Sequence, residues 1–160
     1  MNPLNSSHPI LMTESVYHNA FLSVGSLPAE RGAILGSSDN GKTIDHFYWD
    51  KQAATSSTTY SPYAELINNE ILPKWNKNGV RLCGFIHSHP RGFGHPSSGD
   101  AFYAQNLLSA LGEERFSLPI VQSAVSGRFE IIGFVAEARE NRLPAIIHYP
   151  IIIKGEEVSA

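Results

Sequence analysis

The residues best placed to do chemistry lie in one short segment, His87-Ser88-His89-Pro90 followed by Ser97 and Asp100. Histidines two apart on a strand point to the same side, so both imidazoles can reach one metal from a single rigid element. Asp100 follows at the expected start of a helix, and the intervening loop is long enough to return its carboxylate to the strand end. Two histidines and one carboxylate leave a coordination position open, as a catalytic rather than a structural zinc requires. A water in that position has its pKa lowered towards about 7. A simpler reading of Ser97-x-x-Asp100 is a helix cap, a small polar residue followed three later by an acid. The two readings are compatible, because a capped helix start can fix a ligand. Ser88 faces the opposite side of the strand and reads as structural.

Other reactive residues carry weaker patterns. His95 lies in the loop between the ligands, where it can touch metal or substrate or stay solvated. Arg91–Gly94 reads as a flexible loop over the site, with Phe93 as a candidate contact for an extended peptide. Cys83 shares strand parity with His87 but lies four residues back, too far for a shared hydrogen bond at 3.3–3.4 Å rise per residue. It reads as a buried structural cysteine. Trp49 and Trp75 read as packing residues, and His8, His18, His46 and His148 have no partner pattern. Gly36–Thr43 fits the phosphate-loop pattern G-x-x-x-x-G-K-[ST] residue by residue. That loop needs a helix after its Lys-Thr so that backbone N–H groups cradle the phosphates. Here Ile-Asp-His-Phe-Tyr-Trp follows, a strand pattern, so nucleotide binding is a remote alternative.

The elements that must position these residues are legible in outline. A length of 160 residues fits one domain spanning 1–160, with enough chain for a core. Apolar residues at 42% and charged residues at 17% mark a globular chain. A net charge of −3 gives no electrostatic case for nucleic acid or an anionic membrane. The lone Cys83 allows no internal disulfide and suits a reducing compartment. No signal-peptide pattern opens the sequence, and the apolar stretch 145–153 is interrupted by His148 and Pro150. A soluble cytoplasmic protein is the expectation.

Residues 10–23 read as a helix with Thr13 as its cap, with strand alternation competing. Gly32–Gly36 reads as a buried strand, Asn40-Gly41 as a hairpin turn and Ile44–Asp50 as the return strand. Residues 51–60 form a loop or an extension of that hairpin. Ser61-Pro62 opens a helix running to about Asn76, which Asn78-Gly79 stops. Val80–His89 is the strand of the histidine pair, 90–99 a loop, and Asp100–Leu111 a helix ended by Gly112. Leu118–Val125 and Arg128–Glu137 read as strands joined at Ser126-Gly127, with Leu143–Ile153 as the last. This order predicts an α/β fold of the mixed α+β kind, a largely antiparallel sheet flanked by helices.

His-Ser-His-Pro, six residues, Ser, two residues and Asp is the signature of the JAB/MPN (JAMM) zinc metalloproteases, and His87–Asp100 resembles it without a gap. Glu30-Arg31-Gly32-Ala33-Ile34-Leu35-Gly36 is similar to the family's upstream element, a glutamate before a strand with spaced glycines. The order of elements is similar over roughly Val16–Glu137. The resemblance implies a cytidine-deaminase-like layering, with His87, His89 and Asp100 holding one zinc ion and its catalytic water. It implies Glu30 as the general acid/base and Ser97 as a donor to the developing oxyanion, roles that amide hydrolysis itself demands. The implied substrate is a ubiquitin-like protein or its conjugates, cut after the C-terminal Gly-Gly. The absence of extra domains looks like the stand-alone prokaryotic members, which accompany activating and conjugating enzymes, including in antiphage systems. The rival reading is a non-catalytic MPN scaffold, although such relatives generally lose the ligands that this chain keeps.

Overall fold

The computed structural model describes residues 9–23, 32–50, 54–55, 60–61, 64–89, 94–123 and 129–155. Strand β1 (Ile10–Thr13) leads directly into helix α1 (Glu14–Leu22), where the Thr13 hydroxyl accepts from the Val16 N–H at 3.3 Å. The cap is the expected residue, but the four residues up to it are a strand. Their apolar side chains are drawn into parallel pairing with β3 and β13.

Strands β2 (Gly32–Ser37) and β4 (His46–Trp49) pair as the expected hairpin, and the short β3 (Thr43–Ile44) between them in sequence pairs with β1 instead. Asn40 and Gly41 take φ of 64° and 86°, the left-handed pair that a tight hairpin turn demands. The phosphate-loop-like segment is occupied by its own side chains. The Thr43 N–H donates to Asp39 Oδ1 at 2.7 Å, and the Gly41 N–H donates to Ser37 Oγ at 2.9 Å. A strand follows, as expected, so neither the N–H cradle nor the helix of a phosphate loop forms.

A two-stranded ribbon, β5 (Ala54–Thr55) with β6 (Tyr60–Ser61), precedes the second helical stretch. That stretch comprises α2 (Ala64–Leu66), a π-helical turn (Ile67–Ile71) and α3 (Leu72–Lys77). Ser61 lies in β6, and the expected proline start at Pro62 lies outside the described residues. Gly79 stops the stretch at φ 75°.

Strand β7 (Arg81–His89) is the spine of the molecule. One edge pairs antiparallel with β2 over most of its length. Its other edge pairs parallel with two successive strands, β8 (Arg115–Ser117) and β9 (Ile120–Ser123). The expected strand Leu118–Val125 therefore begins earlier and is split. Pro119 lacks the N–H needed to continue the ladder, so the chain jogs there from the lower to the upper half of β7. Its hairpin partner breaks in step, at Gly133, into β10 (Phe129–Ile132) and β11 (Phe134–Arg139). The expected turn at Ser126-Gly127 lies outside the described residues. The last segment also divides: β12 (Arg142–His148) stays with β11, and β13 (Ile151–Lys154) crosses to β1 after Pro150. At that crossing the Tyr149 hydroxyl donates to buried Glu137 at 3.1 Å, and the Arg115 guanidinium lies 5.3 Å from the Tyr149 ring centre.

The result is a mixed α/β fold around a mostly antiparallel sheet. One face packs on β1, α1, β3 and Tyr149, with Ala33, Leu35, Ile86 and Val121 pointing into that layer. The other face carries Phe85, Phe116, Leu118, Ile120 and Phe134 against Ala104 and Leu108 of helix α4 (Ser98–Leu111). Among the described residues no helix is long and apolar enough to cross a membrane.

Strand parity fails at one point. The β2–β7 register shifts between Leu35 and Gly36, opposite Leu82–Gly84. This bulge turns Cys83 into the α1 layer, whereas Leu82, Phe85 and His87 keep to the α4 side. Cys83 is thus on the opposite face from His87, and burial pushes its thiol up to about 12, with the charges of Asp45 and Asp39 adding to the shift. Next to the bulge, a Cβ on Gly84 would stand 2.5 Å from the Ser117 carbonyl oxygen, a backbone atom that cannot step aside. Gly84→Ala is expected to cost about 3 kcal/mol by overpacking. Urea unfolding of the variant against wild type measures it.

Candidate metal centre

The histidine pair stands in the interior of the sheet, on a strand paired along both edges. Gly32 on one side and Ile120 on the other both pair with His87, and Gln122 pairs with His89. Strand pleating sends both imidazoles to the α4 side of β7. Ser88 points the other way beside Val121 and is buried, as expected of a structural residue. His87 is 0% exposed and His89 7%.

Helix α4 supplies the third ligand. It starts two residues earlier than expected, at Ser98, with Ser97 as N-cap. The Asp100 N–H donates to Ser97 Oγ at 3.1 Å, and the Ser97 N–H donates to Asp100 Oδ2 at 2.8 Å, a reciprocal capping box. The box satisfies two N–H groups that the helix start would leave open, and it aims Oδ2 at the histidines. His87 Nε2 lies 3.0 Å and His89 Nε2 3.2 Å from that oxygen, and the two nitrogens approach to 2.6 Å. Burial alone would raise the Asp100 pKa. The hydrogen bonds from His87 and His89, the His87 charge and the Ser97 N–H outweigh it and hold the carboxyl far below the usual range.

This donor set fits a divalent cation. Three electron-rich atoms, one from each residue, lie within 4.8 Å of one another in a largely water-excluded spot. Their mutual repulsion is relieved either by protons on the imidazoles or by a cation between them. Two imidazoles and one carboxylate match the donor chemistry of zinc.

Of the other expected residues, Glu30 and Phe93 lie outside the described residues. His95 is exposed and outside the ligand cluster, with its ring 5.4 Å from that of Phe134. Ser97 is exposed, and its Oγ accepts from the helix, which leaves its hydroxyl proton able to donate outwards. Ser97→Ala is expected to reduce turnover by about 10²–10³ if that proton meets an oxyanion, and to destabilise the fold by about 1 kcal/mol through loss of the cap. Steady-state kinetics and thermal unfolding measure the two effects separately. Gln122 was not anticipated. It is 9% exposed and shares the ligand face beside His89, with its Oε1 3.2 Å from where a Gly94 Cβ would stand. The sequence signal for it is a polar amide directly after the apolar run Leu118-Pro119-Ile120-Val121.

The sequence matches no known family profile and no curated protein. Among solved structures the fold is shared with the solution structure of a protein from Desulfitobacterium hafniense, at 21% identity and a TM-score of 0.68. The match covers 92% of this chain and 94% of that one, so it supports the compact α+β architecture.

Proposed function

We propose that this chain is a JAB/MPN-type zinc peptidase or isopeptidase that cleaves after the C-terminal Gly-Gly of a ubiquitin-like protein. The observation that supports this reading most is the convergence of His87, His89 and Asp100 from two rigid elements, with Ser97 locked to the same helix start. His87, His89 and Asp100 would hold the zinc ion. Zinc supplies Lewis acidity and a lowered pKa for water. The remaining work falls to the chain's own groups. Glu30, two residues before the Gly32 that pairs with His87, takes a proton from the attacking water and returns it to the leaving amine. Ser97 donates a hydrogen bond from its hydroxyl to the carbonyl oxygen as negative charge develops there, and keeps its proton. A narrow approach to the ligands would select a tail ending in Gly-Gly, since bulkier side chains would clash.

The test is cleavage of a ubiquitin-like protein fused through Gly-Gly to a reporter, with and without chelator. Chelator-sensitive cleavage that returns when zinc is restored supports the proposal. Cleavage that ignores the chelator contradicts it.

A further inference from the structure

The ligand face of the sheet also holds a buried acid. Asp50, at the end of β4, is 3% exposed, and its N–H donates to the Gly32 carbonyl at 3.0 Å. Ala33 pairs with Trp49, so Gly32 stands opposite Asp50, and Gly32 also pairs with His87. Residues directly opposite on paired strands share a face. Asp50, Gly32 and His87 therefore form one row across β4, β2 and β7 on the α4 side. Strand spacing puts the Cα atoms of Asp50 and His87 about 10 Å apart, and Gly32 interposes no side chain between them. Asp50 Oδ1 and His87 Nδ1 are both sealed from solvent. The field of Asp50 reaches into this layer: Tyr103, on α4 and 5.0 Å from Phe85 ring to ring, has its hydroxyl pushed up to about 12, by burial first and by the Asp50 charge second.

We infer that Asp50 is a positioning carboxylate for the metal centre, acting through His87. The inference rests on the metal reading above. His87 offers Nε2 to the site, and a buried carboxylate in the same row, with only Gly32 between, favours a cation held by that imidazole. Asp50 also offsets the net positive charge that a dication leaves on two neutral imidazoles and one carboxylate. Without a cation, Asp50 and Asp100 are two acids in the same layer, so Asp50 favours the loaded state and not the empty one.

The test is competition titration of zinc into purified metal-free protein, read beside thermal unfolding. Asp50→Asn is expected to weaken zinc affinity by about 10–100-fold without lowering the unfolding temperature of the metal-free protein. Asp50→Glu, which keeps the charge, is expected to recover most of that affinity. Equal zinc affinity in wild type and Asp50→Asn would overturn the inference and leave the metal centre standing. A wild-type chain that binds no zinc would instead overturn the metal reading. If Asp50→Asn does not fold, Asp50→Ser is titrated in its place. If neither folds without zinc, Asp50 is a structural residue and the inference falls.

Discussion

Glu30→Gln is expected to reduce cleavage of a Gly-Gly fusion by about 10²–10⁴-fold while leaving the metal bound. The substitution keeps size and hydrogen-bonding reach but removes the only form of the side chain that accepts a proton. General acid–base catalysis contributes on that scale. In the proposed mechanism the ligands come from β7 and α4 and Glu30 moves a proton instead, so zinc content should not change. Initial rates at saturating substrate, with metal content measured on the same sample, decide the matter. A variant that cleaves at the wild-type rate would remove Glu30 from the mechanism. A variant that loses zinc as well would make it a ligand or a structural residue.

His87→Ala is expected to lose zinc and, with it, the metal's contribution to stability. A ligand at 100 times its Kd stabilises the folded state by about 2.7 kcal/mol, and each kcal/mol shifts the melting temperature of a chain this size by about 2–4 °C. Zinc should therefore raise the wild-type melting temperature by roughly 5–11 °C and leave that of His87→Ala nearly unchanged. Because His87 is fully buried between β2 and β9, the variant is also expected to be less stable in chelator, through the cavity it leaves. The comparison that bears on metal is thus the zinc-induced shift within each protein. An equal shift in both would place the metal elsewhere.

The site was more legible in the sequence than the fold around it. The pleat of β7 and the cap of α4 are local rules, and they suffice to converge His87, His89 and Asp100 once strand and helix lie side by side. The cap reading of Ser97 holds in the structure, and it uses only an acceptor lone pair of the hydroxyl, which leaves the proton for the oxyanion role proposed above. Elements bounded by turn chemistry, such as β2 to β4 around Asn40-Gly41, were likewise readable. Long-range pairing was not. Three apolar runs each split where Pro119, Gly133 and Pro150 let the chain change partners, and composition gives no partner for the second half of a run. The bulge that turns Cys83 away from His87 arises from a register shift with β2, which parity counted along one strand cannot reveal. Asp50 escaped notice for a related reason. Its relation to His87 runs across three strands and not along the chain.

The central claim is that His87, His89 and Asp100 form a metal centre, and the most direct measurement is zinc stoichiometry of the purified chain by native mass spectrometry, before and after loss of one ligand, as in Asp100→Ala. The account predicts close to one zinc per wild-type chain, removed by chelator and regained on dialysis against zinc, with none retained by Asp100→Ala. A folded wild-type chain that takes up no zinc under those conditions would contradict it and leave a non-catalytic scaffold as the better reading.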